Sequence, residues 1–109
     1  MVMDKAVILR DLRDNLRKQY QDSIKNVILF GSQAKEIANE NSDFDILILL
    51  DKDYSGKDEN NILDICYEID LKYNIIIDAH LLSLKELKTI RGKQPIFINA
   101  INSGIYACV

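Results

Sequence analysis

The sequence predicts an α/β domain, a small mixed β-sheet flanked by helices. Three observations carry that expectation. Short apolar runs of strand length alternate with longer stretches whose apolar residues recur every three or four positions. The central run, Ile46 to Leu50, is apolar at every position, as a strand covered on both faces must be. Turn and cap residues stand at the boundaries between these stretches. With 109 residues, 48% of them hydrophobic, the chain fits one domain, 1–109, with a modest core.

Each element has its own signal. Residues 4–22 place Ile8, Leu12, Leu16 and Tyr20 four apart, an amphipathic helix with Arg10, Arg13 and Arg17 on its other faces, read as solvated. Val27, Ile28, Leu29 and Phe30 make a short buried strand ended by Gly31. Residues 32–38 predict a short helix capped by Ser32. After the Ile46–Leu50 strand, Lys52 to Lys57 is a polar loop containing Gly56. Ile62, Ile65, Cys66, Ile69 and Tyr73 then mark a second amphipathic helix. Residues 75–82 predict a third strand with one conspicuous acid, Asp78, inside it. Ser83 and Glu86 have the spacing of a capping box, which opens a short helix. Pro95 suits the first turn of a last helix that carries Phe97 and Ile101 to Gly104. Residues 105–109 predict a closing edge strand.

Composition narrows the function classes. The net charge of −3 argues against direct nucleic-acid binding through a basic surface. Cys66 and Cys108 are the two cysteines, and Cys66 falls on an apolar helical face, which predicts a buried free thiol. No apolar run approaches the roughly 20 residues of a membrane span. Asp4 and Lys5 follow Met1 too closely for a secretory signal, so the expected location is cytoplasmic.

The chemistry is concentrated in one constellation. Gly31-Ser32 stands where a strand gives way to a helix, and free backbone N–H groups at such a turn attract phosphate. Asp43-Phe44-Asp45 leads into the next strand. Residues two apart on a strand share a face, so Asp43 and Asp45 present adjacent carboxylates. Two such anions repel unless a cation lies between them, and hard oxygen ligands favour Mg²⁺. If the third strand pairs beside the second, Asp78 projects toward the same place. Three carboxylates then suit two Mg²⁺ ions about 3.5–4 Å apart, the spacing of two-metal phosphoryl and nucleotidyl transfer. Asp78 is the candidate to receive a proton from the attacking hydroxyl.

Taken singly, each signal has a plainer reading. Gly31-Ser32 is also a common turn and helix cap. Asp43 and Asp45 are also ordinary turn and strand-end acids. Lys35 is read equally as surface charge or as a phosphate contact. His80, the only histidine, shares a strand face with Asp78, but a surface or packing role is the simpler reading.

Gly31-Ser32-Gln33-Ala34-Lys35 followed by Ser42-Asp43-Phe44-Asp45-Ile46 resembles the signature of the DNA polymerase beta-like nucleotidyltransferase superfamily. The small size resembles its MNT-domain branch, the minimal nucleotidyltransferases. The likeness runs through Asp78 to the tail at Ile101–Tyr106, and implies the polymerase beta-like nucleotidyltransferase fold. It implies Gly31, Ser32 and Lys35 as nucleotide-binding residues, with Asp43, Asp45 and Asp78 as catalytic metal ligands. Many members of that branch are antitoxins paired with a HEPN-domain ribonuclease toxin. The implied activity is Mg²⁺-dependent transfer of AMP from ATP to a tyrosine of the toxin. Two positions depart from the pattern. Glu36 replaces the usual glycine and is expected to face solvent. Lys35 replaces the commoner arginine, keeping the charge but losing bidentate geometry.

Little chain remains beyond the predicted catalytic elements, so the acceptor is expected on another molecule, a protein rather than RNA given the acidic balance. Two alternatives stand beside this one. In the first the chain is a non-catalytic antitoxin that covers the toxin. In the second it is a nucleotidyltransferase acting on a small molecule such as an aminoglycoside.

Overall fold

The computed structural model describes residues 4–31, 33–34, 43–89, 91 and 93–107. Helix α1 (Lys5–Tyr20) is followed by a 3-10 turn (Gln21–Ser23), then β1 (Ile24–Phe30), β2 (Phe44–Leu50), α2 (Gly56–Tyr73) and β3 (Ile77–Ser83). The short α3 (Leu84–Leu87), α4 (Pro95–Ser103) and the two-residue β4 (Ile105–Tyr106) complete the described chain. The sheet order is β3-β2-β1-β4. β1 runs antiparallel to β2 and β4, and β2 runs parallel to β3 through the α2 crossover, so the sheet is mixed. This is the expected fold class.

Alternation along the strands builds a core on each face. Val27, Leu29, Phe44, Ile46, Ile48 and Leu50 pack with Leu12 and Leu16 of α1 and with Ile62, Cys66 and Ile69 of α2. The opposite face sets Ile28, Phe30, Leu47, Leu49 and Leu82 against Phe97 and Ala100 of α4. Cys66 is a buried free thiol, as expected, and burial pushes its pKa up to about 12. Cys108 lies outside the described residues.

Several boundaries differ from the expectations, each for a local reason. α1 ends at Tyr20 rather than at 22, because Gln21 turns to positive φ and its N–H returns to the Arg17 carbonyl. β1 begins three residues early, at Ile24. Exposed Lys25 and a register shift between Ile24 and Asn26 interrupt the apolar run that marks a strand in sequence. β3 begins at Ile77, because Asn74 closes α2 in the left-handed conformation and Asp70 captures the next turn. The Asp70 carbonyl accepts from Ile75 N–H (3.1 Å) and its carboxylate from Ile77 N–H (2.9 Å). The arginines of α1 are not a uniform solvated face: Arg13 is buried, and Arg17 donates to the Ile24 carbonyl at 3.2 Å. The short helix expected at 32–38 falls largely outside the described residues, and Gln33 and Ala34 form a turn. The closing strand is confined to Ile105–Tyr106, with 108–109 outside the described residues. The capping boxes at Ser55–Asp58 and Ser83–Glu86 are both formed, the second as expected.

Helices α1 and α2 are also joined by polar groups. Lys72 Nζ and Tyr73 Oη each donate to Asp11 Oδ2 at 2.6 Å. These bonds, Lys72 first, hold the Asp11 carboxyl below its usual range. A carboxylate with a depressed folded-state pKa stabilises the fold above its unfolded pKa, and that contribution is lost as pH falls through the folded value. Asp11→Asn should therefore lower the melting temperature at neutral pH, and the difference from wild type should shrink steadily below about pH 4. Thermal melts across pH 2–8 check this, and a pH-independent difference would contradict it. Leu12 is fully buried between the helices and the sheet. Leu12→Ala should cost about 2–5 kcal/mol in denaturant unfolding.

Candidate functional site

The site lies at one end of the sheet, and chain directions put it there. β1 runs antiparallel to β2, so the end of β1 at Gly31 adjoins the start of β2 at Asp45. β3 runs parallel to β2, so its start adjoins the same place. The register pairs Asp45 with Asp78 and Leu47 with His80. Paired residues of adjacent strands share a face. Asp45, Asp78 and His80 therefore stand on the α4 face, beyond the apolar cluster of Leu47, Leu49 and Leu82.

Among the described residues, Asp45, Asp78 and His80 each offer one ligand atom within 4.8 Å of the others. His80 Nε2 is 3.5 Å from Asp78 Oδ2. The pair Asp45–Asp78 matches the expected convergence. Asp43, one residue before β2, is exposed and stands outside this tight group, but its charge still reaches Asp45. His80 joins the pair in the tight group. Its spacing from Asp78 was visible in sequence, but nothing there distinguished an imidazole facing the acids from one packed against apolar residues.

Gly31 closes the site from the β1 side. Its φ is +75°, a conformation other residues adopt with strain. A Cβ there would collide with Asp45 Oδ2, so any other residue would strain the backbone and displace the Asp45 carboxylate. The turn after it is tied down where Lys5 Nζ donates to the Gln33 carbonyl at 2.6 Å. Ser32, Lys35 and Glu36 lie outside the described residues. Beside the turn, Phe30, Gly31, Ala34, Ile96, Asn99 and Ser103 line a cleft of about 320 Å³.

Electrostatics marks Asp45. Partial burial, then the charge of Asp78, pushes its pKa above the usual carboxylate value; His80 acts in the opposite sense and Asp43 adds to the rise. A carboxyl with a raised folded-state pKa favours the fold while protonated, and the benefit is lost as pH rises through that value. Ionised Asp45 is thus a cost at neutral pH when no cation is bound. A buried imidazole nitrogen that makes no hydrogen bond, beside two repelling carboxylates, fits a divalent cation.

Asp45→Asn should accordingly raise the melting temperature of the metal-free protein at pH 7. The gain should vanish below about pH 4, where the wild-type carboxyl is protonated in both states. Melts of both proteins in chelator across this range check it, and a destabilised Asn variant at pH 7 would contradict it.

Comparison with known proteins agrees with this geometry. Residues 9–106 match the family model described as a nucleotidyltransferase domain. Two proteins of Methanocaldococcus jannaschii, both provisionally named protein adenylyltransferases, are similar in sequence. MJ0604 is 35% identical over 77 residues, covering 71% of this chain and 72% of its own. MJ0141 is 32% identical over 87 residues, covering 80% and 87%. Among solved structures, a mutant of the toxin–antitoxin MntA–HpeT superposes with a TM-score of 0.61 at 16% identity, covering 95% of this chain and 72% of that one. A toxin–antitoxin structure with AMP-PNP gives 0.58 at 16% identity, covering 89% and 70%. With its sheet, glycine turn and paired acids in place, the chain belongs to the nucleotidyltransferase domain family.

Proposed function

We propose that this chain is an antitoxin that transfers AMP from ATP to a tyrosine of a partner HEPN-type ribonuclease toxin and so neutralises it, in the cytoplasm and with two Mg²⁺ ions. The observation that carries the reading is the in-register pair Asp45–Asp78 closed by the Gly31 turn. Family membership and the names of the two sequence relatives support the reaction class. The structural neighbours support the setting, one a toxin–antitoxin pair and the other a toxin–antitoxin with a bound ATP analogue.

Each residue has a task in this reading. Backbone N–H groups of Gly31 and Ser32, with Lys35, hold the triphosphate, and the adjoining cleft takes the nucleoside. Asp43, Asp45 and Asp78 hold Mg²⁺, which when bound offsets the charge of the triphosphate and lowers the pKa of the attacking hydroxyl. The tyrosine oxygen attacks the α-phosphorus, a new P–O bond forms, and the bond to the β-phosphate breaks. Pyrophosphate leaves, and the hydroxyl proton passes to Asp78. The acceptor is presented by the partner.

Mass spectrometry of the partner after incubation with Mg-ATP tests the reading. Wild-type protein should add the mass of AMP, and Asp45→Ala should not, while remaining folded. Asp78→Asn should still bind Mg-ATP but transfer more slowly by about 10²–10⁴-fold or more, as loss of a general base does. Ser32→Ala should weaken ATP binding with less loss at saturating ATP. Unaltered transfer by Asp45→Ala, or no binding of Mg-ATP by wild type with its partner present, would overturn the assignment. The latter result would favour an antitoxin that acts by binding alone.

A further inference from the structure

His80 is the one group of the acidic cluster that the proposed chemistry leaves without a task. Its ring is held in place. Phe30 lies 5.7 Å away between ring centroids, and Phe97 meets it edge-on at 6.2 Å. These contacts explain the body of the ring but not its Nε2. That atom is buried, makes no hydrogen bond and faces the carboxylate of Asp78 at 3.5 Å. A buried nitrogen without a hydrogen bond costs stability, and the Asp78 carboxylate meets this one only at ion-pair distance. That separation is longer than a hydrogen bond.

We propose that His80 Nε2 is a nitrogen ligand to the cation held by Asp45 and Asp78, and that this mixed nitrogen–oxygen set makes the site prefer Mn²⁺ to Mg²⁺. The proposal rests on the reading that these acids bind a divalent ion. The three donor atoms already lie within 4.8 Å of one another. Ligands about 2.1 Å from one octahedral ion lie about 3 Å apart when adjacent and about 4 Å apart when opposite. The observed Nε2–Oδ2 separation lies between the two, so a side-chain shift of about half an ångström would seat both atoms on one ion. Mg²⁺ is a hard ion suited to carboxylate, carbonyl and water, whereas imidazole suits first-row transition ions. An all-carboxylate site has little means to separate Mg²⁺ from Mn²⁺, and one imidazole supplies it. The two phenylalanines fix the ring's orientation, the part that hydrogen-bonded outer groups play at other histidine sites.

The experiment uses nucleotide-free full-length protein at neutral pH with the metals alone as probes. Calorimetric titration should show Mn²⁺ binding at least about tenfold more tightly than Mg²⁺, the lower end of what even outer groups contribute to metal affinity. Electron spin echo spectroscopy of the Mn²⁺-loaded wild type should show coupling to an imidazole nitrogen. His80→Leu should lose the coupling and at least about tenfold in Mn²⁺ affinity, with Mg²⁺ binding close to wild type. Mn²⁺ bound without nitrogen coupling, or equal affinities for the two ions, would overturn the proposal and leave the carboxylate reading standing. Failure of wild type to bind either ion, or binding that persists unchanged in Asp45→Ala, would overturn both. The spectroscopic readout needs no variant, so a poorly folding His80→Leu protein leaves the test intact.

Discussion

Parallel pairing of β2 with β3 governs the acidic end of the sheet. Side chains alternate between faces, so the register that sets Asp45 beside Asp78 also sets Leu47 beside His80 and Leu49 beside Leu82. A slip of one residue would carry Asp78 and His80 to the face of α1 and α2, among Ile46, Ile48 and Ile62. The acids do not hold this register, because they repel. Apolar residues on both sheet faces hold it, and the carboxylates are carried where the core puts them.

The position of the acids along the strands moderates their cost. They are the second residues of β2 and β3, where the sheet opens to water, and the Asp78 side chain is 55% exposed. Asp45 is more enclosed, between Gly31 and Asp78, and its raised pKa records the difference. Glycine at position 31 gives Asp45 the room it occupies. The same turn is anchored to the start of α1 through Lys5. The site is thereby tied to three separate elements rather than to a single flexible loop.

Much of this was legible in the sequence. Ile46–Leu50 identified the central strand, and Gly31, Asp45 and Asp78 identified the end of the sheet where the acids meet the glycine turn. Gly31 was legible because a glycine directly after an apolar strand marks a turn that a side chain would strain. The start of β1 was hidden by Lys25 and Asn26, polar residues at a register shift that break the apolar run without breaking the strand. The start of β3 was displaced because Ile75 and Ile76 look like strand residues, yet their backbone belongs to the turn that Asp70 holds. Arg13 shows the reach of side-chain stems, which place a charged residue in a buried position without an apolar signature. The placement of His80 was hidden for another reason. Period-two spacing gives its face, but only the placement of Phe30 and Phe97 decides which way the ring is aimed.

The α4 face of the sheet is divided along its length. Phe97 and Ala100 cover the half built from Ile28, Phe30, Leu47, Leu49 and Leu82, and from the half carrying the acids His80 reaches that packing through Phe30 and Phe97. The apolar packing and the two carboxylates thus belong to different residues of the same sheet face. A lineage of such domains can therefore exchange its acids, acquire a new metal preference or fall silent as a catalyst without redrawing its shape. Resemblance in outline among these small domains is accordingly a poor guide to which of them still turn over substrate. Under the proposed chemistry, the identities at positions 43, 45 and 78 are the better guide.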